Sequence, residues 1–141
     1  MTCGTHRSQF FKSTLRYALK SNTWDESAPK VNQARFNHSS CILGKNLYIF
    51  GGRDASFATL SSIEVLILPD GASWSIFTDL NNLPTMTRSV PLMVPLSDKD
   101  IFISGGFLAG GQLSDVIILD TKSQSAKEEI DFSGLPFVCH G

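Results

Sequence analysis

Little in this chain points to a charged polymer, a membrane or bond-making chemistry. Of its 141 residues, 12 are Lys or Arg and 13 are Asp or Glu, for a formal net charge of −1. A binder of phosphate backbones normally shows a basic excess, so nucleic acid is not an expected partner. No apolar run approaches the roughly 18 residues of a spanning helix, and no membrane partner is expected. Cysteine is scarce: Cys3, Cys41 and Cys139 make an odd, widely spaced set. Such a set does not read as a disulfide framework and suits a reducing compartment. A cytoplasmic location is the expectation.

Motifs that carry chemistry are missing as well. The paired glycines have neither the dinucleotide-binding spacing nor a Gly-Lys-Ser/Thr ending. No Gly-x-Ser-x-Gly nucleophile turn occurs. His38 with Cys41, and Cys139 with His140, lack the tight spacing of zinc modules, whose tetrahedral sites need four converging ligands. No catalytic, cofactor-binding or metal-binding residue is assigned, and no cofactor is expected. Asn37-His38-Ser39 matches a glycosylation acceptor, but no secretory signal precedes it and it opens a predicted strand. Residues 1–20 carry Arg7, Lys12, Arg16 and Lys20 without any Asp or Glu, a composition also seen in transit peptides. The preferred reading places residues from Ser13 onward in structure and leaves 1–12 as an N-terminal segment outside it, with disorder one option.

What is present is a repeat. Tyr48-Ile49-Phe50-Gly51-Gly52 returns as Ile101-Phe102-Ile103-Ser104-Gly105-Gly106, with the glycine pairs 54 residues apart. Arg35 to Arg88 is 53 residues, Val65 to Val116 is 51, and Trp24 to Trp74 is 50. A period near 50 built from short strands is a sign of propeller blades. In the first copy, strands are expected over Phe36–Leu43, Leu47–Phe50, Ile63–Leu68 and Ser73–Phe77, punctuated by Gly44-Lys45-Asn46 and Pro69-Asp70-Gly71. In the second, they fall over Arg88–Leu96, Ile101–Ser104 and Asp115–Asp120, with a weaker fourth ending near Ile130 and a glycine-rich loop from Gly105 to Leu113.

The third strands are almost continuously apolar, as strands covered on both faces are. Pro91 and Pro95 share a parity, so both missing donors fall on one edge, as an innermost, channel-facing strand permits. Trp74 and Ile76 alternate with Ser73 and Ser75, as an outer strand with one wetter side would. The fold class is therefore all-β: four-stranded antiparallel blades of an incomplete propeller. The divisions are 13–27 for half a blade, 35–78 and 88–131 for full blades, and 135–141 for the start of another.

These residues together resemble the kelch repeat. Its pattern has an apolar strand ending in a Gly pair and a Trp about seven residues after a Tyr-like position. Tyr48, Gly51, Gly52 and Trp74 supply it in one copy, Gly105 and Gly106 in the next, and Tyr17 with Trp24 at the end of the leading half. In the second copy the Trp position falls near Ala126, and Pro91 stands where His38 does. About two and a half blades cannot close a ring of about four to eight. Further blades, in cis or in trans, are therefore expected partners.

The resemblance implies a protein–protein interaction role, with another protein gripped by the loops. The copies differ there: Arg53, Asp54 and Phe57 in one correspond to Phe107, Leu108 and Gln112 in the other. Binding residues favour loops on a rigid scaffold, and these six are the candidate contacts. Phe57 and Phe107 have a second option, tucked beneath their own loops. Arg35 and Arg88 recur; they could line a binding face, and the preferred reading is a structural one, pairing with loop carboxylates such as Asp54 or Asp79. The alternative class is a propeller-fold enzyme, an oxidase or a sugar-modifying one.

Overall fold

The computed structural model of the chain describes residues 2–6, 9–78 and 87–131. Every regular element among them is a strand. Strands β1 (Thr2–His6) and β2 (Gln9–Thr14) pair as an antiparallel hairpin. Residues 1–12 were expected outside the structured part, yet 2–6 and 9–12 are strand. After Leu15 the chain re-enters a second hairpin, β3 (Arg16–Ala18) with β4 (Thr23–Asp25), in which Tyr17 lies opposite Trp24.

The first complete sheet holds β5 (Ser39–Leu43), β6 (Asn46–Phe50), β7 (Ile63–Ile67) and β8 (Ser75–Thr78), adjacent in chain order and antiparallel. A two-residue loop, Gly44-Lys45, joins β5 to β6, because Leu43 pairs with Asn46. The second sheet holds β9 (Leu92–Pro95), β10 (Asp100–Ser104), β13 (Asp115–Asp120) and β14 (Ser125–Asp131) in the same meander. Between β10 and β13, the expected loop instead forms a small hairpin. It joins β11 (Phe107–Leu108) to β12 (Gly111–Gln112) and turns at Gly110 with φ of 82°. The architecture is all-β, a partial propeller of four-stranded antiparallel blades.

Side-chain alternation gives each sheet two working faces. From the first sheet, Cys41, Tyr48, Phe50, Ile63 and Phe77 point toward the second, which answers with Met93, Ile101, Ile103, Ile117 and Leu119. All ten are buried, so the main core lies between the blades rather than within either one. The other face of the first sheet presents Ile49, Leu66 and Trp74, capped by Val31 from the segment that leads into the blade. The Trp74 indole donates to the Pro29 carbonyl at 2.9 Å and to the Thr14 hydroxyl at 3.2 Å. The Val31 amide donates to the Lys12 carbonyl at 2.9 Å. The N-terminal hairpin is thereby fastened to the blade it precedes.

Both first strands lie at sheet edges. That is why Pro95 is tolerated within β9, where a missing donor disrupts no ladder. Pro91 sits just before the strand, not inside it, and its carbonyl accepts from the Ser39 hydroxyl of the neighbouring blade. One alternation differs from expectation. Trp74 is buried but Ile76 is 64% exposed, while Phe77 is buried. Ile76 keeps the parity of Trp74 but is left uncovered on the outermost strand, and Phe77 is the extra residue of a bulge in β8, where Ile63 and Glu64 pair with Thr78 and Ile76. The first strands also begin later than expected. Asn37 and Val90 each take positive φ, 56° and 55°, and turn the chain before it enters the sheet. Valine in that conformation is an outlier, and it is held by the Val90 amide donating to the Asn37 carbonyl at 2.7 Å. The stretch Leu135–Gly141, expected to open a further blade, lies outside the described residues.

Candidate partner-binding surface

Two loops leave equivalent places on neighbouring sheets: 53–62 between β6 and β7, and 107–114 between β10 and β13. What fixes them is a buried arginine in each copy. Arg35 and Arg88 are both fully buried. Arg35 donates to the Gly51 carbonyl at 3.0 Å, to the Ser62 carbonyl at 3.1 Å, to the Ser62 hydroxyl at 2.9 Å and to Glu64 Oε1 at 2.6 Å. Arg88 donates to the Gly105 carbonyl at 3.0 Å and to both oxygens of Asp115, at 2.9 and 2.6 Å. Each guanidinium thus ties the first glycine of its pair to the root of the third strand. A planar five-donor fork suits that task, and a lysine ammonium does not.

The expected acidic partners were loop residues, and the structure corrects this. Asp54 is engaged elsewhere, and Asp79 lies outside the described residues. The carboxylates come from Glu64 in the strand and Asp115 at its start. Glu64 also accepts from the amides of Asn32 and Gln33, at 2.7 and 3.2 Å, and so holds the incoming segment.

The glycine pairs are required by close approach. Gly51 and Gly52 have φ of 65° and 90°, and a Cβ on Gly52 would stand 2.6 Å from the Phe36 carbonyl oxygen. In the second copy, a Cβ on Gly106 would meet the Ser89 carbonyl oxygen at 2.7 Å.

On this base the six candidate contact residues separate. Asp54 organises its own loop: one carboxylate oxygen accepts from the Ser56 amide, the Ser56 hydroxyl and the Ala58 amide, at 2.7–3.0 Å. The Ser56 hydroxyl above all, with the two amides, holds its carboxyl below the ordinary range. Arg53 is half-buried and lies opposite Phe36 and Thr59 in isolated bridges. Phe57 is 62% exposed and Phe107 38%, so Phe57 is not tucked beneath its loop. Leu108 is half-buried and Gln112 is exposed, both on the β11–β12 hairpin. Arg53, Asp54 and Phe57 therefore share one loop, while Phe107, Leu108 and Gln112 share the next blade's hairpin.

Two residues escaped sequence reading. Phe10 of β2 and Phe36 before β5 pack their rings against Phe57, with centroids 6.1 and 5.7 Å away, and against each other at 5.5 Å. Phe10 lies outside any repeat, so the period carries no sign of it. Phe36 was readable only as an early member of the first strand.

Of the motifs weighed for metal chemistry, Cys41 is buried and its thiol is pushed up to about 11 by burial. Cys139 and His140 lie outside the described residues. Among those described, no three His, Cys, Asp or Glu side chains gather in a manner that could hold a metal ion.

His38 is depressed to about 4, first by burial and second by the charge of Arg35. Its unfolded form takes a proton below about pH 6.5, before the folded form does. Stability is therefore fully present above that pH and falls as pH drops through 6.5 toward 4. Between pH 6.5 and 5 the loss should reach about 2 kcal/mol, in a window above the ordinary carboxylate range. Urea midpoints at the two pH values check this, and His38→Gln should flatten the difference. An unchanged slope in that variant would place the proton elsewhere.

Three curated proteins are similar to this chain. Beta-scruin of Limulus polyphemus is 28% identical over 97 residues, covering 69% of this chain and 9% of that protein. Kelch-like protein 36 of Bos taurus is 28% identical over 106 residues, or 71% of this chain and 15% of that protein. Kelch domain-containing protein 1 of Homo sapiens is 30% identical over 96 residues, or 66% of this chain and 23% of that protein. All three are kelch-repeat proteins. No family model matches the chain. The chain thus spans less than a quarter of the length of each of these relatives.

Proposed function

The chain is built of kelch repeats, and from that premise we propose that its blades present the 53–62 and 107–114 loops to a partner protein. Kelch-repeat relatives generally mediate protein–protein interaction. The observation that carries the reading is the exposure of two aromatic side chains, Phe57 at 62% and Phe107 at 38%, on equivalent loops of adjacent blades. Aromatic anchors of this kind dominate binding energy where they are desolvated by a partner. The mechanism is shape and loop chemistry, with no bond made or broken. Further blades, in cis or in trans, belong to the same proposal, as does a cytoplasmic setting.

The double variant Phe57→Ala/Phe107→Ala tests the reading. Proteins retained by the immobilised chain from a cell extract should be lost at least tenfold, equivalent to about 1.4 kcal/mol or more. The melting temperature should stay within the range of a surface change, about 1 kcal/mol or less. Retention equal to that of the parent chain would remove these loops as the contact surface.

A further inference from the structure

We infer that the 53–58 loop and the N-terminal hairpin together form one docking site for a short acidic segment of the partner that also carries a large apolar side chain. This rests on the loop-surface reading above and says which chemistry that surface takes. Three independent features converge on it.

The first is backbone strain at Phe57. Six described residues other than glycine have positive φ: Asn22, Asn37, Phe57, Val90, Ala109 and Gln124. Asparagine tolerates that region, whereas a bulky side chain there is an outlier. Phe57 sits at φ of 65°, with its amide on the Asp54 carbonyl at 3.0 Å. Glycine would fit that corner without strain. An exposed ring at a glycine position points to a use for the ring, since strained residues cluster at ligand clamps. The second feature is that the ring does not stand alone. Phe10 and Phe36 meet it from two other elements, all three pairs within 6.1 Å. The result is a shallow aromatic seat assembled from the hairpin, the strand approach and the loop.

The third feature is charge. Among the described arginines, Arg16, Arg35 and Arg88 each hold a carboxylate. Arg53 holds none; its Nε, like that of Arg35, is buried without a hydrogen-bond partner, but unlike Arg35 it is only half-buried as a residue. Because Arg53 lies directly opposite Phe36 in a bridge, their side chains leave on the same side, with Cβ atoms about 5 Å apart. The neighbouring Asp54 does not answer it, since that carboxylate serves Ser56 and Ala58. A desolvated guanidinium donor without an acceptor is costly to leave so. A carboxylate brought in by the partner pairs with the rest of this half-buried guanidinium, while an adjacent apolar side chain covers the three rings.

The full 141-residue chain, panned against a phage-displayed library of random dodecapeptides, tests this directly. The enriched peptides should be rich in Asp or Glu within a few residues of Phe, Trp or Leu. For the best of them made synthetically, Arg53→Ala should weaken binding at least tenfold. Replacing its acidic residue with the amide should remove most of the further effect of Arg53→Ala. Phe10→Ala should weaken binding severalfold. Phe57→Gly should do the same with an unchanged or raised melting temperature, a combination that a purely structural ring would not give. Peptides without an acidic excess, no enriched peptide, or indifference to Arg53→Ala would each overturn the inference. If binding still falls in Phe57→Gly or Phe107→Ala under those outcomes, the broader loop reading stands. Indifference to both would bring that reading down too.

Discussion

Arg35→Met should lower the stability of the chain by about 3–5 kcal/mol, the range for removing one partner of a buried ion pair. That is a large share of the roughly 5–15 kcal/mol that a domain holds in total. Both partners are out of water, with side-chain exposures of 0% and 1%. Deleting the guanidinium leaves the Glu64 carboxylate buried beside two backbone amides that only partly stabilise it. It also takes the guanidinium donor from the Gly51 carbonyl and the Ser62 hydroxyl, whereas the Ser62 carbonyl keeps the Gly51 amide at 3.3 Å. Arg35→Met/Glu64→Gln should recover part of the loss, because a neutral amide still accepts from the Asn32 amide without an unpaired charge. Equilibrium urea unfolding, read as the midpoint at constant slope, gives each value. If the single variant unfolds within about 1 kcal/mol of the parent, the arginine is a passenger in the repeat. If the double variant is no better than the single, the loss comes from the hydrogen bonds to Gly51 and Ser62 and not from the unpaired charge.

The recurrence of Arg35 and Arg88 was legible in the sequence, but their partners were not. In the ladder, Glu64 lies opposite Ile49, while the matching place opposite Ile103 is held by Ile117. The acidic residue of the second copy is Asp115, two positions earlier, where the first copy has Ser62. Serine and the longer glutamate together do in one blade what aspartate does alone in the next. A repeat aligned residue by residue hides that exchange, because the guanidinium reads space and not sequence position. The strand order and the paired glycines were readable for the opposite reason: they are local and periodic. Ile76 misled because it shares the parity of Trp74, yet only Trp74 is covered by the incoming segment, through Pro29 and Val31, and no pattern within β8 records that. The aromatic seat shows the same divide. Phe57 was visible as a ring on a variable loop, whereas Phe10 reaches it only through the fold of a hairpin some 47 residues earlier in the chain.

Gly51→Ala is expected to cost about 3 kcal/mol or more, well above the 1–2 kcal/mol typical of placing a side chain at positive φ. The difference lies in what the new methyl meets. A Cβ at Gly51 would stand 2.4 Å from the carbonyl oxygen of Arg88, a backbone atom of the next repeat. That same oxygen accepts the Gly52 amide at 2.9 Å, and the Arg88 amide donates to the Leu60 carbonyl at 3.3 Å. Relieving the clash therefore moves one blade against the other and opens the interface where ten apolar side chains are buried. Gly110 isolates the conformational part, since its φ is 82° and a Cβ there would meet nothing within 4 Å. Gly110→Ala should cost only the strain of its backbone, about 1 kcal/mol. The ratio of the two losses, measured by the same urea titration, is the informative number. Equal losses would mean that the glycine pair serves turn geometry alone. A Gly51 loss several times larger makes it the point where successive blades are brought into contact, and gives the recurring pair a role in stacking as well as in turning.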